Sequence, residues 1–104
     1  MGKAMTNINI GKVKVSADIL RALTHPLRLE ILDFIDKNTT VNVKSIYNEL
    51  DLKQSITSQH LQILRRAGLV ITKRDGKFIN YSLDYSKIEE AVKAIDRFSN
   101  EIAE

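Results

Sequence analysis

One stretch, Gln54 to Gly68 (QSITSQHLQILRRAG), constrains this chain more than any other. Its apolar residues Ile56, Leu61 and Leu64 recur at helical spacing and fall near one face, while Ser55, Ser58, Gln59, Gln62, Arg65 and Arg66 crowd the other. One face packs and the other is free to touch. The free face carries hydroxyls and amides near the helix start and two guanidinium groups near its end. Hydroxyls and amides bond base edges or phosphates, and arginine does either through its planar fork, so the face suits a helix laid in a DNA major groove. In isolation a polar helix face is more often simply solvated, and the flanking segments have to decide.

Upstream, apolar residues at Val15, Ile19, Leu20 and Leu23 suggest a first helix between Lys14 and Leu23. Thr24-His25-Pro26 breaks it. Proline belongs in the first turn of a helix, where its missing N–H is not needed, so Pro26 opens a second helix with His25 or Thr24 as its cap. Leu27, Ile31, Leu32 and Ile35 give that helix a buried stripe running to about Lys37. A turn over Asn38 to Asn42 leads to a short β-like segment around Val41 to Val43, and a helix follows from about Lys44 to Leu50 with Ile46 and Leu50 facing in. Asp51-Leu52-Lys53 joins it to the central stretch as tightly as a helix-turn-helix requires. Gly68 ends that stretch as a helix-terminating glycine does.

Downstream, Leu69 to Arg74 is apolar and β-branched, Asp75-Gly76 signals a hairpin turn, and Phe78 to Leu83 alternates again. The reading is a two-stranded wing with Lys73, Arg74 and Lys77 at or near its tip. A last helix spans Ser86 to Ala103, where Ile88, Ile95 and Ile102 stand seven apart and Ala91 and Phe98 sit three beyond the first two. So narrow a seam suits a partner helix, although packing on the chain's own domain is the competing explanation.

Charge is distributed unevenly. Lys53 to Lys77 holds six basic residues and one acidic, whereas the last twenty residues hold three basic and five acidic. A basic centre favours a polyanion at one face. The absence of cysteine excludes disulfides and thiolate metal sites. With no apolar run near the roughly 20 residues of a membrane span and no signal-peptide pattern, the chain is expected in the cytoplasm. Met1-Gly2-Lys3-Ala4-Met5-Thr6 fits the loose myristoylation pattern, yet Met5 reads equally as a start after a short leader. Residues 1–12 are expected to form a flexible arm and 13–104 one winged-helix domain, with its dimerisation helix at 86–103.

Four pieces stand in a telling order: Leu23-Thr24-His25-Pro26-Leu27-Arg28-Leu29-Glu30-Ile31-Leu32; Gln54-Ser55 followed by Ser58-Gln59-His60-Leu61 and Leu64; Ala67-Gly68-Leu69-Val70; and Lys73-Arg74-Asp75-Gly76-Lys77 followed by Tyr81-Ser82-Leu83. Together they resemble the ArsR-type winged-helix transcriptional repressors over roughly Leu20 to Leu83. The resemblance implies a mainly α fold with a small β-hairpin wing, in the order α-α-β-α-α-β-β-α. It also implies a homodimer paired through the first and last helices, for which Ile19, Ile88, Ala91, Val92, Ile95, Phe98 and Ile102 are the expected contacts. Two departures matter. The Cys-Val-Cys metal motif of many members is matched here by Asn42-Val43-Lys44, and an inter-helix zinc site of others by Tyr85, Lys87, Phe98 and Glu101, so no metal or other cofactor is expected. His25 and His60 are accounted for by the cap and the helix pattern. Thr57 stands where the family usually has Val or Ile, and its hydroxyl is free to bond back to the preceding turn. Tyr47 replaces a usually small residue, and its ring is expected to fill space half exposed.

The function expected is that of a sequence-specific repressor binding duplex DNA as a dimer. Gln54, Ser55, Ser58, Gln59 and Gln62 would read base edges, and Lys53, Arg65, Arg66, Lys73, Arg74 and Lys77 would contact phosphates. The alternative is a winged helix docking an acidic protein partner. Its weakness is that the exposed helix face lacks the aromatic anchors such interfaces favour. Enzymatic activity is not expected: Glu30, Asp33 and Asp36 share a helix, but no nucleophile and base pair, phosphate loop or metal constellation accompanies them.

Overall fold

The computed structural model describes residues 17 and 19–103, the side chains of 98–103 excepted. The N-terminal arm expected over 1–12, Val15, and the seam residues Phe98 and Ile102 therefore lie outside the described side chains. The chain is helical over residues 19–23 (α1). There follow α2 (Pro26–Asn38), β1 (Thr40–Asn42), α3 (Val43–Glu49), α4 (Gln54–Arg66), β2 (Val70–Asp75), β3 (Phe78–Leu83) and α5 (Tyr85–Ala103). This is the expected mainly α order, shifted by a residue or so at several ends.

Local chemistry sets most of the boundaries. His25, not Thr24, caps α2: its Nδ1 accepts from the Leu27 N–H at 3.2 Å, and Pro26 takes the first helical position. Asn42 caps α3 by accepting from the Ser45 N–H at 2.8 Å. Asp84 does the same for α5, accepting from the Lys87 N–H at 3.1 Å. Both helices of the helix-turn-helix end alike. After α3, the Asp51 N–H donates to the Asn48 carbonyl and the Leu52 N–H to the Tyr47 carbonyl. After α4, the Gly68 N–H donates to the Arg65 carbonyl and the Leu69 N–H to the Leu64 carbonyl. This paired pattern is the Schellman motif, and it demands positive φ at the first residue past the cap. Asp51 and Gly68 supply it at 53° and 77°.

The sheet has three strands, not the two expected of the wing alone. It runs in the order β1-β3-β2, antiparallel throughout, with Val41 opposite Tyr81 and Thr72 opposite Tyr81 on the other side. The hairpin turn also falls one residue later than expected. Asp75 pairs with Phe78, which leaves Gly76 and Lys77 as a two-residue loop. Of the two, only Gly76 has positive φ, at 62°, as in a type II′ turn, whose twist matches that of the strands.

The core gathers Ile31, Ile35, Ile46, Leu61, Leu64 and Leu69 between α2, α3, α4 and the sheet. Two helix faces differ from the letter pattern. In α4 the buried side chains are Thr57, Leu61 and Leu64, whereas Ile56 is 40 % exposed. Residues 57, 61 and 64 follow the i, i+4, i+7 rule, and Ile56 lies about 100° round the helix from Thr57. The Thr57 hydroxyl is satisfied by the Lys53 carbonyl at 3.1 Å, one turn back. In α2 the buried side chains are Arg28, Ile31, Leu32 and Ile35, with Leu27 only half-buried. Tyr47 is half-buried, as expected.

Leu64→Ala, which empties a fully buried site, should cost about 2–5 kcal/mol of unfolding free energy in urea titrations. Ile56→Ala should cost less, about 1 kcal/mol, since 40 % of Ile56 is already exposed and its removal empties no enclosed site.

Candidate nucleic-acid interface

The orientation of α4 determines which side chains are presented. With Thr57, Leu61 and Leu64 turned into the core, residues Gln54, Ser55, Ser58, Gln59, Gln62, Arg65 and Arg66 share an outward arc of about 140°, taking 100° per residue. All seven are exposed. All five expected base readers are thus on one free face, with both arginines on the same arc in the last turn. Cations there favour the negative end of the helix dipole.

Lys53 sits at the N-cap of α4 and is also exposed, but its side chain makes no capping bond. On the wing, Lys73, Arg74 and Lys77 are exposed. Arg74 Nε donates to the Gly76 carbonyl at 3.2 Å, which braces the turn. Among the described residues, the ion pairs are Lys37–Asp33, Lys87–Glu90 and Lys93–Glu89. None of the six interface cations takes part in one, so their charge is uncompensated by close carboxylates. The wing also exposes Phe78 and Ile79, and Ile56 borders the α4 arc.

The residues expected at a dimer contact are divided. Ile19 and Ala91 belong to the chain's own core, Ala91 with no exposed surface at all. Ile88 and Ile95 pack partly against that core. Val92, one position round from Ala91, is 49 % exposed. Three of the positions matched to metal sites are engaged elsewhere. Asn42 caps α3, Tyr85 donates to Asp36 at 2.6 Å, and Lys87 pairs with Glu90. The Asp36 contact pushes the Tyr85 phenol above its ordinary value by favouring the protonated form.

A connection missed in the sequence lies behind α4. Arg28 is only 6 % exposed. Its Nε donates to the Ala22 carbonyl at 3.1 Å, its Nη2 to the Arg21 carbonyl, and its Nη1 reaches His60 Nδ1 at 3.2 Å. Because arginine only donates, His60 Nδ1 must accept, which fixes the ring as the neutral form protonated on Nε2. The His25 ring meets His60 edge-on with centroids 4.7 Å apart. The sequence carried a signal for this: Arg28, Ile31, Leu32 and Ile35 share one spacing, and a cation on an apolar stripe needs partners.

Comparison with known proteins agrees with this geometry. A profile for "Bacterial regulatory protein, arsR family" matches residues 25–72. The chain is 33 % identical over 85 residues to an HTH-type transcriptional regulator of Methanocaldococcus jannaschii, covering 82 % of this chain and 96 % of that one. It is 37 % identical over 81 residues to the transcriptional repressor PagR of Bacillus anthracis, covering 77 % of this chain and 80 % of that protein. The crystal structure of PagR superposes with a TM-score of 0.67 over 84 % of this chain and 99 % of that one. The solution structure of a homodimeric winged helix-turn-helix DNA-binding domain from Mycobacterium bovis superposes with a TM-score of 0.72 at 22 % identity, over 90 % and 86 % of the two chains, a likeness of fold.

If the exposed cations meet phosphates, Arg66→Ala should lower duplex affinity to a similar degree on every sequence. It should also reduce the slope of log affinity against log salt by about 1, measured by fluorescence anisotropy over a salt series.

Proposed function

The chain belongs to the arsR family of bacterial regulatory proteins, and we propose that it represses transcription by binding an inverted-repeat operator as a homodimer. The observation that carries the proposal is the α4 arc. Five hydrogen-bonding side chains of modest length, flanked by uncompensated cations, project from a helix whose opposite face is locked into the core. Base edges in the major groove present donors and acceptors that Gln and Ser match. Gln54, Ser55, Ser58, Gln59 and Gln62 would read them. Lys53, Arg65, Arg66, Lys73, Arg74 and Lys77 would hold the backbone, and Ile56, exposed at the edge of the arc, would meet a thymine methyl group. Occupying a promoter is itself sufficient for repression. The repressor activity named for PagR supports that sign.

The homodimer named for the Mycobacterium bovis domain supports a twofold assembly here. In this chain the pairing surface would centre on Val92, with the outer edges of Ile88 and Ile95 and with Phe98 and Ile102. Two subunits so related would read half-sites about one helical turn apart. No helix among the described residues is long and apolar enough to cross a membrane.

Selection from a random duplex library should enrich an inverted repeat, and Gln59→Ala should then lose about 1–3 kcal/mol of discrimination at one position of each half-site. Enrichment of no sequence would refute the operator reading and turn attention to acidic protein partners. Val92→Lys should shift the protein toward monomer in sedimentation and weaken binding to the full repeat more than to an isolated half-site.

A further inference from the structure

Arg28 is shared by three helices. Two of its donors engage the Arg21 and Ala22 carbonyls at the end of α1, its backbone belongs to α2, and its remaining fork reaches His60 on α4. Among the described hydrogen bonds between side chains, the His60 contact is the one that grips the DNA-facing helix from behind. We propose that Arg28 and His60 form a proton-sensitive clamp that positions α4, so that acidification loosens the helix and weakens operator binding. The proposal rests on the DNA-binding reading above.

The chemistry of the contact is one-sided. The His60 ring accepts through Nδ1, and a proton arriving on that nitrogen would face Arg28 Nη1 across 3.2 Å. Donor would then meet donor and cation would meet cation. The groups acting electrostatically on His60 are His25, on the loop before α2, and Arg28, on α2 itself. No carboxylate among the described residues acts on it to compensate. His25 does not relieve the imbalance, because its own Nδ1 is engaged by the Leu27 N–H. Burial, with the neighbouring His25 and Arg28 charges, holds His60 below the ordinary histidine value of 6.5.

The direction follows from linkage. A histidine lowered in the clamped state binds fewer protons there than when released. The clamp is therefore fully effective above about pH 6.5 and is lost as pH falls from there through the lower clamped value. This sign separates the clamp from simple electrostatics. A histidine facing phosphates would gain charge on acidification and tighten DNA binding. The clamp does the reverse.

The test measures affinity for the selected operator at about pH 7.5 and about pH 5.5 at fixed ionic strength, with circular dichroism confirming the fold at both. Wild-type affinity should fall roughly three- to tenfold, the scale of one linked proton. His60→Asn places an amide oxygen where Nδ1 stood and does not titrate, so it should bind well at the higher pH and lose most of that dependence. His25→Asn should keep a capping acceptor and remove one of the groups that lower His60, so the loss of affinity should set in at a higher pH. Arg28→Lys should weaken binding at the higher pH. Wild-type affinity that is flat or rises on acidification, or an unchanged profile in His60→Asn, would overturn the clamp. NMR titration of the free protein separates this from failure of the DNA reading. His60 should titrate together with the α4 amide resonances, and a His60 that titrates while α4 stays unmoved overturns the inference whatever the DNA result.

Discussion

The rotation of α4 about its own axis is the constraint on which the rest of the molecule depends. Three side chains hold it: Thr57, Leu61 and Leu64, each essentially without exposed surface. A helix turned by one residue would swap Thr57 for Ser58 or Ile56 in the core and carry the outward arc about 100° round with it. Burying Ser58 would strand a hydroxyl, and burying Ile56 would demand space that close-packed interiors do not keep in reserve. The hydroxyl of Thr57 is tolerated because the Lys53 carbonyl one turn back accepts it. The polar face needs no stabilising role of its own, since the opposite face decides where it points.

The ends of the helix are fixed as firmly as its rotation. The same capping motif stops α3 at Asp51 and α4 at Gly68. Glycine costs nothing at positive φ, and at Gly68 the φ of 77° would strain any side chain even though a Cβ would meet only the flexible side chain of Lys87 at ordinary contact distance. Aspartate at Asp51 is the next best choice, because it visits the left-handed region more readily than most residues. From Gly68 the chain passes directly into the wing. Pairing of β3 with β1 as well as β2 ties the wing to the segment that links α2 and α3. The helix and the wing are therefore two projections of one frame.

How much of this was legible depended on how local the cause was. The Pro26 start, the Gly68 stop, the hairpin and the helix-turn-helix spacing are written in neighbouring residues, and each appears within a residue or two of its expected place. Faces were harder. Choosing apolar letters selected Ile56 and passed over Arg28, although spacing alone places Arg28 inside with Ile31, and Thr57, marked by the family resemblance as standing at a Val or Ile position, is buried with its hydroxyl bonded back to Lys53. The polarity of a side chain is a weaker guide than its angle when a backbone carbonyl can satisfy it. The β1 strand offered three residues and no sign that its partner lay some forty positions later. In α5 the seven-residue repeat was visible, yet the repeat does not say which edge of the seam the chain's own core takes. Ala91 went inside and Val92 stayed out. The exposed polar residues of α4 were the most legible feature of all, because a side chain that nothing buries needs only the helix to place it.

The buried Arg28 remains the least economical choice in this core, and its geometry explains why it holds. Helix ends leave carbonyls without partners, and the guanidinium fork satisfies two of them at the end of α1 while α2 supplies its backbone. A hydrophobic side chain of similar volume would fill the space, but it would leave those carbonyls to water and make no directional contact with α4. Direction is what the arginine contributes. Its planar fork fixes α1 and α4 relative to one another through a single rigid group. The bonds on the α1 side are to two backbone oxygens, whereas the α4 side depends on one imidazole nitrogen. A displacement of α1 must therefore either carry α4 with it or part the frame at His60, the weaker end of the link.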